Sequence, residues 1–154
     1  MSLELGSALH LDVREADGTP LNLEDYRGED NVFVYFMRAL TCAQCNAAVR
    51  TLATQQAELE AAQVKVIVAV PEDADAATAW KAKKQVPFPV IVGKEGTPHA
   101  DAGLLRKAFG AIQQSGGILI DKQGLIRYAH VSTNPGASYH RADLAEAIAA
   151  LPAG

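Results

Sequence analysis

The chain has 154 residues, 49% of them hydrophobic, and its fourteen basic and eighteen acidic side chains leave a formal charge of −4. That length suits one domain over residues 1–154, which at such a size buries roughly 70% of its unfolded surface and needs no disulfide to fold. The acidic balance gives no footprint for a nucleic-acid backbone, and no apolar run approaches the roughly 20 residues of a membrane span. With no charged leader at the start, the expected location is cytoplasmic.

In chain order, Leu9, Leu11 and Val13 alternate with polar residues, Asp17-Gly18 marks a turn, and Leu21 and Leu23 follow, which predicts an N-terminal hairpin. Residues 32–37 are a continuous run of apolar β-formers, as expected of a central strand buried on both faces. A helix is predicted over about 42–61, with Cys45, Ala48, Val49 and Leu52 on one stripe. A strand over 64–70 follows, then a helix opened by Pro71-Glu72-Asp73 and ending in Lys81, Lys83 and Lys84, cations that complement the helix dipole.

Residues 88–92 read as a short strand. Leu104, Leu105, Ala108 and Phe109 read as a helix capped by Gly110. Residues 118–120 and 125–131, joined by a turn at 121–124, predict an antiparallel hairpin, and an amphipathic helix is expected over about 140–151. Alternating strands and helices with a closing hairpin define an α/β/α three-layer sandwich around a mixed sheet.

The chemistry concentrates in Cys42 and Cys45, the only cysteines, placed where the strand over 32–37 hands over to a helix. Two thiols two residues apart can close a short disulfide and reopen it. Thr41 and Gln44 match a capping box, which would put Cys42 at the first helical position and Cys45 one turn in. Thiols at such sites titrate at roughly 3.5 to 7.5 instead of about 8.5. The stripe turns Cys45 to the core and leaves Cys42 at the helix mouth within reach of substrate, so geometry names Cys42 as the attacking thiol and Cys45 as its resolver.

Two plainer readings compete: a pair of small buried hydrophobes, and half of a zinc site. The histidines available to complete the latter, His10, His99, His130 and His140, form no paired ligand motif. His99 and His140 could act in proton transfer, although exposed loop histidines are the default. Trp80 reads as core or partial surface cover, with no assigned role.

Asp25-Tyr26-Arg27-Gly28, Phe36-Met37-Arg38 ahead of Cys42-Ala43-Gln44-Cys45-Asn46, Phe88-Pro89-Val90, Ala108-Phe109-Gly110 and the 118–126 hairpin occur in a telling order. In that order they resemble the thioredoxin-like superfamily, and within it the peroxiredoxin-like alkyl hydroperoxide reductase/thiol-specific antioxidant (AhpC/TSA) family. The resemblance covers residues 21 to about 151. It implies a thioredoxin-like fold and a cofactor-free, metal-free thiol oxidoreductase. Its substrate would be a hydroperoxide or a disulfide, its reductant of thioredoxin type, and it leaves a homodimer open.

The departures bear on mechanism. Aligned on the peroxiredoxin motif, Arg38 replaces a proline and Cys42 a threonine, and Cys45 falls on the peroxidatic cysteine. The family's arginine before the hairpin would fall near Ser115, and thioredoxins' cis-proline has no counterpart there. The peroxiredoxin alignment therefore names Cys45 as nucleophile, whereas helix geometry and the thioredoxin analogy name Cys42. Arg38 is the nearest candidate for the missing guanidinium, which would lower a thiolate's pKa and polarise a peroxide. Thr41 is a cap first and a thiolate neighbour second. The alternatives are a general protein thiol-disulfide oxidoreductase and a redox-inactive thioredoxin-fold binding module.

Overall fold

The computed structural model describes residues 4–104, 106–107, 112–134 and 137–152. β1 (Val13–Glu15) is followed by a turn at Gly18, and the expected return strand is reduced to one bridge between Arg14 and Pro20. A 3-10 helix at Leu23–Tyr26 comes next. β2 (Asn31–Phe36) leads to α1 (Ala43–Thr54) and α2 (Gln56–Ala61), so the helix predicted over 42–61 is interrupted at Gln55. Then come β3 (Val64–Ala69), α3 (Ala74–Lys84) capped by Asp73, and β4 (Val90–Gly93).

The next stretch departs from expectation. Thr97 accepts the Ala100 N–H with Pro98 at the first turn, and Gly103 ends the helix in the left-handed region at φ 85°, so α4 occupies Pro98–Ala102. Start and stop signals thus lie one turn ahead of the apolar residues on which a helix near 104–109 was expected. Leu104 is buried, while β5 (Arg106–Lys107) pairs with β6 (Ile112–Gln113) as a separate two-stranded sheet. Leu105 and the expected Ala108, Phe109 and Gly110 end lie outside the described residues.

β7 (Ser115–Ile120) and β8 (Ile126–Ser132) form the closing hairpin. β7 begins three residues earlier than its apolar pattern suggested, because Gly116 and Gly117 are part of it. A Cβ on Gly117 would collide with the Phe33 ring, and one on Gly116 with the His130 carbonyl. Glycine here permits close approach rather than a turn. α5 (Arg141–Ala149) closes the fold.

The main sheet runs β1-β4-β3-β2-β7-β8, with β2, β3 and β4 parallel and the remaining pairs antiparallel. Both βαβ crossovers step the same way across the sheet, and right-handed connection puts α1 and α3 on one face. There they join Leu59 of α2 and Leu144 of α5 over Phe33, Tyr35 and Met37. The alternate residues Val32, Val34 and Phe36 face a second core built from Leu9, Leu21, Ala102 and Leu104, with Leu23 and Tyr26 packed against it. Two covered faces account for the unbroken apolar run of β2. The result is a thioredoxin-like three-layer sandwich, one layer of which is thin. No described helix is long and apolar enough to cross a membrane.

Candidate active site

The loop between β2 and α1 emerges at the carboxyl end of the parallel strands, the edge where open α/β sheets place their sites. Main-chain groups are held one after another. Met37 donates its N–H to Ala69 O at 2.9 Å, and its carbonyl meets His99 Nε2 at 2.6 Å. The Arg38 N–H donates to Cys45 Sγ at 3.3 Å, and the Leu40 N–H to Glu72 Oε2 at 2.9 Å.

Asn46 ties the other side. Its Nδ2 donates to the carbonyls of Leu40 at 2.9 Å and Cys42 at 2.8 Å, while its Oδ1 accepts the Trp80 indole N–H at 2.9 Å. Every hydrogen in that amide and one oxygen lone pair is used, in a buried position. Asn46→Ala would strand the Trp80 donor and remove a partner from two carbonyls, at an expected cost of about 2–4 kcal/mol in urea unfolding. Trp80→Phe leaves only Asn46 Oδ1 without its donor but also removes ring volume from the core, so its loss should combine both causes.

The helix cap differs from expectation. Cys42, not Thr41, is the N-cap: its Sγ accepts the Cys45 N–H at 3.2 Å. Thr41 is exposed, and Gln44 lies beside the sulfur, its Oε1 4.0 Å from Cys42 Sγ. The bond of the Leu40 N–H to Glu72, with those of Asn46 to the Leu40 and Cys42 carbonyls, fixes the chain one residue away from the capping pattern of Thr41 and Gln44. Cys45 lies one turn in and faces the core, as its stripe indicates.

Burial is greater than the sequence suggested. Cys42 is 1% exposed and Cys45 0%, so Cys42 does not stand open at a helix mouth, although Thr41, Ala43 and Gln44 around it are exposed. Both are free thiols. Burial pushes the Cys45 thiol up to about 11, and the Cys42 side chain adds to the rise. The Arg38 N–H and the Tyr35 hydroxyl oppose it. For Cys45 desolvation therefore outweighs the helix terminus, reversing the expected low value.

Arg38 reaches Cys45 through its main chain, and its buried Nε has no hydrogen-bond partner. Ser115, where the resemblance would place an arginine, is fully buried at the start of β7, next to Gly116 opposite Phe36, and its Oγ is unpartnered. Among the described residues, no three His, Cys, Asp or Glu side chains gather as a metal site.

Several site residues escaped sequence reasoning. His99 was expected exposed and is 0% exposed, packed edge-on against Phe36. Burial holds its pKa down to about 4. Trp80 has a definite partner in Asn46, and Glu72 caps Leu40 from the loop after β3. Only the strand alternation placing Tyr35 on the same face as Met37 could have hinted at its position near the thiols.

A mixed sheet with a Cys-x-x-Cys pair at the start of the helix after a central parallel strand defines a thioredoxin-like protein. The model of the AhpC/TSA family matches residues 6–129, and the chain belongs to that family. No curated protein sequence matches it.

Among solved structures, the fold is similar to peroxidoxin BcpB from Mycobacterium tuberculosis, at 16% identity and TM-score 0.79, over 99% of this chain and 100% of that one. Enterococcus faecalis AhpC matches at 18% and 0.77, over 97% and 92% of the two chains. A putative thiol:disulfide interchange protein DsbE from Chlorobium tepidum matches at 21% and 0.73, over 97% and 98%. Identities this low establish the shared fold. With the family, they support oxidoreductase chemistry in general.

Proposed function

We propose that the chain, acting as one domain, is a thiol-dependent antioxidant oxidoreductase that reduces hydroperoxides or disulfides through a Cys42/Cys45 dithiol-disulfide cycle. The observation that carries this reading is the N-cap position of Cys42, whose sulfur takes the Cys45 N–H at 3.2 Å. A thiolate there gains an oriented N–H and the positive helix end. Cys45 is its resolver, buried and held protonated until Cys42 has reacted.

With a hydroperoxide, the Cys42 thiolate attacks the terminal oxygen, the O–O bond breaks, and the alkoxide leaves as an alcohol after taking a proton. Cys45 then gives up its proton and attacks the Cys42 sulfenic sulfur; water leaves and the disulfide forms. With a disulfide substrate, the intermediate is a mixed disulfide and a thiol leaves. A thioredoxin-type dithiol restores the pair in either case.

The disulfide arm is favoured by Ser115 standing where a peroxide-polarising guanidinium is expected. The peroxide arm relies on the unpartnered Arg38 Nε. After one equivalent of mild oxidant, the intact mass should fall by two hydrogens. A chain that never loses them is a binding module rather than a redox enzyme. Stopped-flow with hydrogen peroxide and insulin reduction by dithiothreitol then separate the arms: peroxide reaction no faster than a free thiol removes the first, and no catalysis of insulin reduction removes the second.

A further inference from the structure

The segment from β3 into α3 grips the loop that carries the thiols at two points. Glu72, in the loop after β3, accepts the Leu40 N–H on Oε2 at 2.9 Å, and Trp80, in α3, donates its indole N–H to Asn46 Oδ1 at 2.9 Å. Asn46 Nδ2 in turn donates to the Leu40 carbonyl at 2.9 Å and the Cys42 carbonyl at 2.8 Å. Leu40 is therefore held by both of its main-chain groups. The backbone of Glu72 is fixed by its neighbour Asp73, the N-cap of α3, whose Oδ1 accepts the Ala76 N–H at 2.9 Å.

Leu40 directly precedes two residues that compete to cap α1. A threonine hydroxyl is among the favoured caps and a thiol sulfur is a weak acceptor, so local preference lies with Thr41. Yet Thr41 is exposed, and Cys42 Sγ takes the Cys45 N–H at 3.2 Å. The bonds of Asn46 belong to the helix and move with it, whereas Glu72 reaches the chain ahead of both caps from a different element. Its Oε1 is buried without a hydrogen-bond partner, so holding the carboxylate against the loop carries a desolvation penalty that one N–H offsets only in part. A purely stabilising role accounts poorly for that penalty; a role toward the nearby sulfur accounts for it.

We propose that Glu72 is a positioning residue for the attack step: by holding the Leu40 N–H it selects Cys42 over Thr41 as the cap of α1, and so keeps the Cys42 sulfur on the N–H that favours its thiolate. The proposal rests on the reading above in which Cys42 is the attacking thiol. Glu72 acts through the main chain of Leu40, two residues before that sulfur. Once the bond is lost, Thr41 takes over the cap and Cys42 shifts to the first helical position, where its side chain no longer accepts an N–H of the first turn.

Cys45→Ser protein keeps Cys42 as its single thiol, and the aromatic disulfide DTNB reports attack by that thiol as one thionitrobenzoate anion released per chain, visible by absorbance. In that background Glu72→Ala is expected to slow the release about tenfold at pH 7 and to move the midpoint of its pH profile up by about one unit. Glu72→Gln keeps an oxygen for the Leu40 N–H without the charge and should stay within about twofold of its parent. Thr41→Ala added to Glu72→Ala removes the competing cap and should recover most of the lost rate, a coupling that a general loosening of the fold would not produce. Glu72→Met fills similar space without an oxygen and carries the same expectation as Glu72→Ala should the alanine variant fail to fold. An unmoved pH midpoint in the variants lacking the oxygen, a Glu72→Gln protein as slow as they are, or no recovery on adding Thr41→Ala overturns the role of Glu72 alone. Cys45→Ser protein that reacts no faster than a free thiol overturns Cys42 as the attacking thiol, and the role of Glu72 with it.

Discussion

Cys42→Ser is expected to abolish turnover, by roughly a thousandfold or more, whereas Cys45→Ser should still react once and then accumulate as a mixed disulfide with its substrate. The asymmetry follows from where each sulfur sits. Cys42 Sγ accepts the Cys45 N–H at the start of α1, with exposed residues on either side. Cys45 Sγ lies one turn deeper, and the largest cause holding its proton is burial, which remains when Cys42 is replaced. A lone Cys45 therefore stays a thiol near neutral pH and attacks poorly. Mass spectrometry of each variant after exposure to a small disulfide reads the result directly. An adduct on Cys42→Ser and none on Cys45→Ser would move the attacking role to Cys45, the residue that alignment with the peroxiredoxin motif names.

The two cysteines were legible because their spacing and their place after an apolar strand are local properties of the chain. β2 was legible for a related reason: a strand covered on both faces needs no polar alternation, and residues 32–37 have none. What surrounds the thiols was not local. Thr41 with Gln44 is as good a cap on paper as Cys42, and the bond from the Leu40 N–H to Glu72, which comes from the loop after β3, joins those of Asn46 within α1 in fixing the register at Cys42. Gly116 and Gly117 argue against a strand until Phe33 and the His130 backbone are seen to occupy the space of their side chains.

Lowering the pH from 7 to 5 is expected to remove about 2 kcal/mol of stability through His99 alone. His99 sits in a Gly/Pro-flanked stretch that reads as surface loop, yet the chain returns across the sheet between β4 and β7 and drops it onto Phe36. Its pKa falls from 6.5 to about 4, chiefly through burial; the hydrogen bond to the Met37 carbonyl works against the fall, and Arg106 adds to it. The folded state holds the ring neutral while the unfolded chain takes a proton below about 6.5. Stability is thus complete above that pH and drains away as pH falls toward 4, for a total of about 3 kcal/mol.

His99→Gln keeps an amide donor for the Met37 carbonyl without a titrating group, and should flatten urea-unfolding stability between pH 7 and pH 5. His99→Phe should flatten it too, with a further loss of about 1–3 kcal/mol at pH 7 from the carbonyl left without its donor. Full acid sensitivity persisting in His99→Gln would place the titrating group elsewhere. Because Met37 directly precedes the residue whose N–H binds Cys45 Sγ, charging His99 presses on the same loop that orders the thiols. Loss of redox turnover as pH falls toward 4 should therefore be milder in His99→Gln than in the wild type.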